Sequence, residues 1–147
     1  MDPHYTAHVQ VLLVEDNIDD AELTIRALKK NKIVTHLHHV KDGAEALDFI
    51  FATGSYDGRD ITIRPSVVLL DINMPKIGGR EVLRRLKEDE RTKAIPVVIL
   101  TSSKENPDVE SCYQLGANSY IIKPVGYDNF MAAIKDLGMY WMVLNHQ

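Results

Sequence analysis

Val67-Val68-Leu69-Leu70-Asp71 is the stretch that decides how this chain folds. Four apolar residues in succession, each valine or leucine, describe a strand buried on both faces, as in a parallel sheet. The run stops at a carboxylate, Asp71, with Ile72-Asn73-Met74-Pro75 and the pair Gly78-Gly79 beyond it. In an open parallel sheet the carboxyl ends of the strands border the ligand crevice. Asp71 is therefore expected to face a site, not a core.

On either side of this strand the chain alternates between strand and helix. Val9–Val14 (VQVLLV) is a first strand ending in Glu15-Asp16-Asn17. Asn17 suits the cap of a helix whose apolar members are Ala21, Leu23, Ile25, Ala27 and Leu28. Residues 36–40 (HLHHV) form a short second strand, and Asp42-Gly43-Ala44-Glu45 reads as a capping box opening a helix through Phe51. Over residues 52–65 the periodicity fails, and Gly54, Gly58 and Pro65 punctuate a connection longer than the usual loop. That segment is either an ordered insertion or a partner surface.

After the central strand, a helix starts near Gly79 with Val82, Leu83 and Leu86 on one face and Arg84, Arg85, Lys87 and Glu88 on the other. Residues 97–100 form the fourth strand, which exits at Thr101-Ser102-Ser103. Asn106-Pro107 supplies a cap and a proline at the first helical position, and Gly116 ends that helix. Ser119–Ile122 is the fifth strand, exiting at Lys123-Pro124. The last helix is expected from about residue 127 to residue 144, with Phe130, Ile134, Leu137, Trp141 and Leu144 as its core stripe. Five strand–helix alternations imply an α/β fold: a five-stranded parallel sheet with helices on both faces. At this length the flavodoxin-like order 2-1-3-4-5 is the common solution.

Bulk composition narrows the function. With 147 residues the chain is expected to be one domain, its core covering about residues 9–144, with no room for an appended output module. A net charge of −4 without an Arg/Lys block argues against a nucleic-acid surface. No apolar run approaches a membrane span, and the first residues lack a signal-peptide core. The single cysteine, Cys112, fits a reducing, cytoplasmic setting.

The strand exits supply Glu15 and Asp16, Asp71, Thr101 and Lys123. In the 2-1-3-4-5 order strands one and three are neighbours, so three carboxylates converge on one crevice. Two like charges about 4 Å apart repel by roughly 4 kcal/mol at an effective dielectric near 20, so the cluster either keeps a proton or recruits a cation. An all-oxygen, partly hydrated pocket suits Mg²⁺ or Mn²⁺. The inventory matches phosphoryl transfer: a carboxylate nucleophile, a divalent cation, and donors for the phosphoryl oxygens. Asp71 is the candidate acceptor. Asp16 is the candidate direct metal ligand, Glu15 binds directly or through water, and the backbone carbonyl of Asn73 can complete the shell.

Glu15-Asp16 after strand one, Asp71 with Pro75 and Gly79 beyond it, Thr101-Ser102 after strand four and Lys123-Pro124 after strand five together resemble the receiver domain of two-component response regulators. The likeness covers about residues 9–144. It implies that Asp71 accepts a phosphoryl group from the phosphohistidine of a sensor histidine kinase, so that the chain is a phosphoacceptor switch with slow autodephosphorylation and not an enzyme. It implies that Lys123 pairs with the phosphoryl group, that Lys123-Pro124 is cis, and that Thr101 and Tyr120 form the switch. It places Asn73 and Ser103 beside the path of the hydrolytic water. Glu15 stands where an aspartate is more usual, a variant that leaves metal binding intact. The long 52–65 segment and Tyr140-Trp141 look like the single-domain regulators that partner phytochrome-type light-sensing kinases. The family's use of the fourth helix, fifth strand and fifth helix for dimers, with surplus apolar residues Tyr127, Met131, Met139, Tyr140, Met142 and Val143, points to a homodimer.

Two other classes compete. A phosphatase with an aspartyl-phosphate intermediate, of the haloacid-dehalogenase type, places its nucleophile in an Asp-x-Asp motif after strand one, which Asp16-Asn17-Ile18 does not supply. A pseudo-receiver binding module keeps the fold without phosphorylation. His36, His38 and His39 lack a third-ligand pattern and read as a polar edge strand, Cys112 as a small helix residue, and Gly78-Gly79 lacks the spacing of a nucleotide-binding fingerprint.

Overall fold

Every residue of the strand β3 (Val67–Asp71) is buried, as a strand sandwiched between two helical layers demands. The computed structural model describes residues 9–30, 34–74, 77–103 and 105–138. Along them run β1 (Val9–Val14), α1 (Ile18–Lys29), β2 (Val34–Val40), α2 (Gly43–Phe51), β3, α3 (Gly79–Glu88), β4 (Val97–Thr101), α4 (Pro107–Gln114), β5 (Ser119–Ile122) and α5 (Tyr127–Asp136). The strands pair in parallel in the order β2-β1-β3-β4-β5.

Alternation along each strand divides the core into two layers. Val11 and Leu13 of β1, Val67 and Leu69 of β3, and Val98 and Leu100 of β4 pack with Ala21 and Leu28 of α1 and Phe130, Ala133 and Ile134 of α5. Leu12 and Val14, Val68 and Leu70, and Val97 and Ile99 turn the other way, onto α2, α3 and α4. Burying each such side chain contributes about 2 kcal/mol relative to leaving it in water. The same alternation aims the residue after each strand at the carboxyl rim.

Local signals set the helix starts. Asn17 accepts from the Asp20 amide at 2.9 Å, Asp42 from the Glu45 amide at 2.8 Å, and Asn106 from the Asp108 amide at 2.9 Å. In the anticipated capping box, Glu45 Oε1 accepts from the amide of Lys41, one residue ahead of the cap. Gly79 opens α3 so close to β3 that a Cβ there would sit 2.5 Å from the Asp71 carbonyl oxygen, which ties α3 to the end of the central strand.

Four expectations need correction. β2 begins at Val34, two residues earlier than the apolar pattern suggested. Leu23 is 52% exposed because the inward stripe of α1 runs through Ala21, Thr24 and Leu28, with Thr24 taking the position assigned to leucine. Met131, counted as surplus surface, is buried with the α1/α5 layer. Finally, α5 ends at Asp136, with Leu137 as its cap and Gly138 at φ +75°. That left-handed backbone is the usual stop for a helix. Trp141, Leu144 and the apolar residues 139, 140, 142 and 143 lie outside the described residues, as does Pro75.

The 52–65 segment is an ordered insertion. A single 3₁₀ turn (Gly54–Tyr56) lies within it, and two long side chains pin it to α2 and β2. Arg59 donates to the carbonyls of Phe49 at 2.6 Å, Ile50 at 3.1 Å and Ile63 at 2.9 Å, with its guanidinium 4.4 Å from the centre of the Phe49 ring. Those helix carbonyls lack intrahelical partners, so the loop serves as the C-terminal cap of α2. Tyr56 donates to Glu45 Oε2 at 2.8 Å and lies 2.9 Å from His38 Nε2. A carboxylate only accepts, so the tyrosine proton goes to Glu45 and His38 must donate from Nε2. Burial pushes the His38 imidazole below its ordinary value, and its ring stacks on Phe49 at 4.4 Å.

Candidate functional site

Each strand exit delivers its polar residue to the same rim. The Glu15 amide donates to the Val40 carbonyl at 3.1 Å, and the Ile72 amide to the Leu100 carbonyl at 3.2 Å. The Lys123 amide donates to the Thr101 carbonyl at 2.8 Å. These bonds carry the sheet one residue past its strands and fix the backbones of Glu15, Asp71 and Lys123. His39 Nε2 reaches the Glu15 carbonyl at 2.8 Å, adding a second anchor from β2. The peptide between Lys123 and Pro124 is cis.

The side chains then meet. Lys123 Nζ lies 2.7 Å from Glu15 Oε1, 3.3 Å from Asp71 Oδ2 and 3.4 Å from Asp20 Oδ2. Glu15 is fully buried and Asp71 nearly so, whereas Asp16 is exposed. Despite the short ion-pair distance, Glu15 Oε1 makes no properly angled hydrogen bond. A buried carboxylate oxygen in that condition is costly. Burial, and then the neighbouring Asp71 carboxyl, push the Glu15 carboxyl up to about 7 against the pull of Lys123. Burial works against the Lys123 ammonium too, but Glu15 and Asp71 outweigh it and raise the lysine above its ordinary value.

Glu15, Asp16 and Asp71 each offer an oxygen within 4.8 Å of the others. The donors are hard, all oxygen, partly open to water on the Asp16 side, and include one buried oxygen that lacks a hydrogen bond. That chemistry fits Mg²⁺ or Mn²⁺ and would not suit a thiophilic or imidazole-seeking ion.

The remaining expected residues border this cluster. Thr101 is buried at the end of β4, and its hydroxyl donates to the Ser103 carbonyl at 2.9 Å. Tyr120 is half-buried in β5, with its ring edge-on to Tyr113 at 6.2 Å. The Asn73 amide donates to Asp71 Oδ1 at 3.1 Å, which orients the carboxylate. Asp20 was not anticipated. It stands three residues after the cap Asn17, in the first turn of α1, and that nearness to the strand exit was the available signal.

The response regulator receiver domain family matches residues 11–135. This chain belongs to that family. Response regulator Rcp1 of Synechocystis sp. is 36% identical over 132 residues, which are 90% of this chain and 88% of Rcp1. The bacteriophytochrome response regulator AtBRR is 46% identical and superimposes with a TM-score of 0.84, covering 91% of this chain and 95% of its own. A Mn²⁺-bound form of Rcp1 superimposes with a TM-score of 0.72 at 36% identity, covering 94% and 96% of the two chains. The phosphorylated cyanobacterial phytochrome response regulator RcpA gives 0.73 at 36% identity, covering 94% and 95%. The receiver is thus close to single-domain regulators associated with phytochromes, and it shares their five-stranded fold.

Proposed function

We propose that the chain is a stand-alone receiver whose Asp71 takes a phosphoryl group from the phosphohistidine of a sensor histidine kinase. The observation that carries this reading is the Lys123 ammonium lying within 3.3 Å of both Glu15 and Asp71 beside a three-carboxylate cluster. An Asp71 carboxylate oxygen forms the new bond to phosphorus as the phosphorus–nitrogen bond breaks, and the imidazole leaves with the bonding pair. Glu15, Asp16, Asp71 and the Asn73 carbonyl would hold Mg²⁺ or Mn²⁺, which supplies positive charge to the phosphoryl oxygens. Lys123 pairs with the phosphoryl group, and the Asn73 amide keeps Asp71 aimed.

The Thr101 hydroxyl then exchanges the Ser103 carbonyl for a phosphoryl oxygen, and the Tyr120 ring follows inward. Hydrolysis at Asp71 is slow, so the chain is a switch and not a turnover enzyme. The likeness to AtBRR, Rcp1 and RcpA favours a phytochrome-type kinase as donor and a cytoplasmic location, and among the described residues no helix is long and apolar enough to cross a membrane. Residues 1–147 then form one receiver domain that signals by protein contact, without nucleic acid.

A homodimer through α4, β5 and α5 belongs to the same reading. Three of the six large hydrophobic residues exposed among the described residues, Tyr113, Ile122 and Tyr127, lie on these elements. Sedimentation is expected to show a dimer at tens of micromolar; a monomer with and without phosphorylation contradicts it. For the acceptor itself, the protein is incubated with Mg²⁺ and phosphoramidate. A one-phosphoryl mass increase that Asp71→Asn abolishes supports the switch. Sustained hydrolysis of a phosphoester indicates a phosphatase, and no modification indicates a binding module.

A further inference from the structure

The third carboxylate on Lys123 has no part in the acceptor chemistry. Asp20 comes from the first turn of α1, three residues after the cap Asn17, whose side chain accepts from the Asp20 amide at 2.9 Å. Its Oδ2 lies 3.4 Å from Lys123 Nζ, the longest of the ammonium's three carboxylate contacts. Unlike Glu15 and Asp71, it is open to solvent, with 42% of the side chain exposed against 0% and 5%. It does not belong to the group of carboxylates that converge for a cation. Asp20 and Lys123 share the wall of a shallow surface depression with Leu23, Thr24, Pro124 and Val125, so Asp20 stands where solvent meets the lysine.

This position has two consequences of the same sign. A cation at Glu15, Asp16 and Asp71 offsets those charges and leaves Asp20 uncompensated except by Lys123. A phosphoryl group arriving at Asp71 must then compete with Asp20 for the ammonium, and it meets a fixed negative charge at the rim. Both effects grow with the charge of the donor. Removing Asp20 does not unmoor Lys123, because the closer contact to Glu15 remains.

We propose that Asp20 is a specificity-determining residue that, by sharing Lys123 and placing a negative charge at the rim, disfavours multiply charged small phosphoryl donors. The proposal rests on the reading of Asp71 as phosphoryl acceptor. Two donors separate the effect from a general change in reactivity. Acetyl phosphate is a dianion at neutral pH, and Asp71 attacks its phosphorus as the bond to the acetate oxygen breaks and acetate leaves as an anion. Phosphoramidate is a monoanion already protonated on nitrogen, and the same attack releases neutral ammonia. One elementary charge roughly 6 Å away in water-like surroundings is worth about threefold in rate.

The test is the rate of Asp71 phosphorylation with Mg²⁺ and each donor, in the full chain and in Asp20→Asn and Asp20→Glu. In Asp20→Asn the acetyl phosphate rate is expected to rise about threefold relative to the phosphoramidate rate at low ionic strength, and the gain to shrink as salt screens the charge. Asp20→Glu is expected to keep the wild-type ratio. The proposal is overturned by an unchanged ratio in Asp20→Asn, by both rates falling together, or by a salt-independent gain. A wild-type chain inert to both donors overturns the acceptor reading instead, and this proposal with it.

Discussion

The rim around Lys123 and the corner around Arg59 are both built from charged and aromatic side chains, yet they solve opposite problems. At the corner every polar group named is matched. Arg59 serves four carbonyls, Tyr56 donates to Glu45, and Glu45 also takes the Lys41 amide. At the rim the charges are crowded without being matched: three carboxylates share one ammonium, and a buried oxygen of Glu15 lacks a hydrogen bond. Matched polar groups hold a loop in place. Unmatched ones are a standing cost that a bound cation can relieve, which marks the rim as the candidate site and the corner as structure.

The contrast is sharpest for Lys123→Met. The change strips the only cation that, among the described residues, contacts the two buried carboxylates, and is expected to destabilise the metal-free protein by about 3 kcal/mol at pH 8, read from urea unfolding. Added Mg²⁺ is expected to recover much of that loss. An unchanged midpoint would mean that the rim charges are solvated after all.

At the corner, Arg59→Ala is expected to cost about 2 kcal/mol while leaving phosphorylation of Asp71 at its wild-type rate. If the phosphorylation rate fell as well, the two regions would not be independent. A smaller effect separates them by pH. Glu15 has a folded value of about 7, above its ordinary 4.5. The stability it contributes is fully present below about 4.5 and is lost as pH rises through about 7. Melting in EDTA is therefore expected to fall between these pH values. Mg²⁺ should bind more tightly as pH rises through the same window, because Glu15 must shed its proton to bind. A melting temperature flat from pH 5 to 8 in EDTA would show that Glu15 is ionised throughout. Smallest is Tyr56→Phe, expected to cost about 1 kcal/mol through the lost bond to Glu45. A neutral result would make that bond a surface contact.

The two regions also differed in how far the residues announced them. The rim was legible because strand periodicity is strict: once residues 9–14, 67–71, 97–101 and 119–122 are strands, Glu15, Asp71, Thr101 and Lys123 must reach the same edge. The 52–65 corner was not, since Tyr56, Glu45, His38 and Arg59 meet through tertiary contacts that no local period encodes. Helix faces fell between. Thr24 displaced Leu23 from the inward stripe of α1, because positions 21, 24 and 28 share one face at helical spacing and leave Leu23 turned to solvent. The end of α5 was misplaced because the apolar spacing continues past Gly138, although the glycine breaks the backbone there. Asp20 was missed because its partner Lys123 lies 103 residues away.

Locating the phosphoryl group tests the central claim most directly. After incubation with Mg²⁺ and phosphoramidate, borohydride reduction converts an aspartyl phosphate to a homoserine that peptide mapping can find. The account predicts the mark at residue 71 alone. A mark on Asp16, Asp20 or another carboxylate, or no mark in protein that binds Mg²⁺, would contradict it.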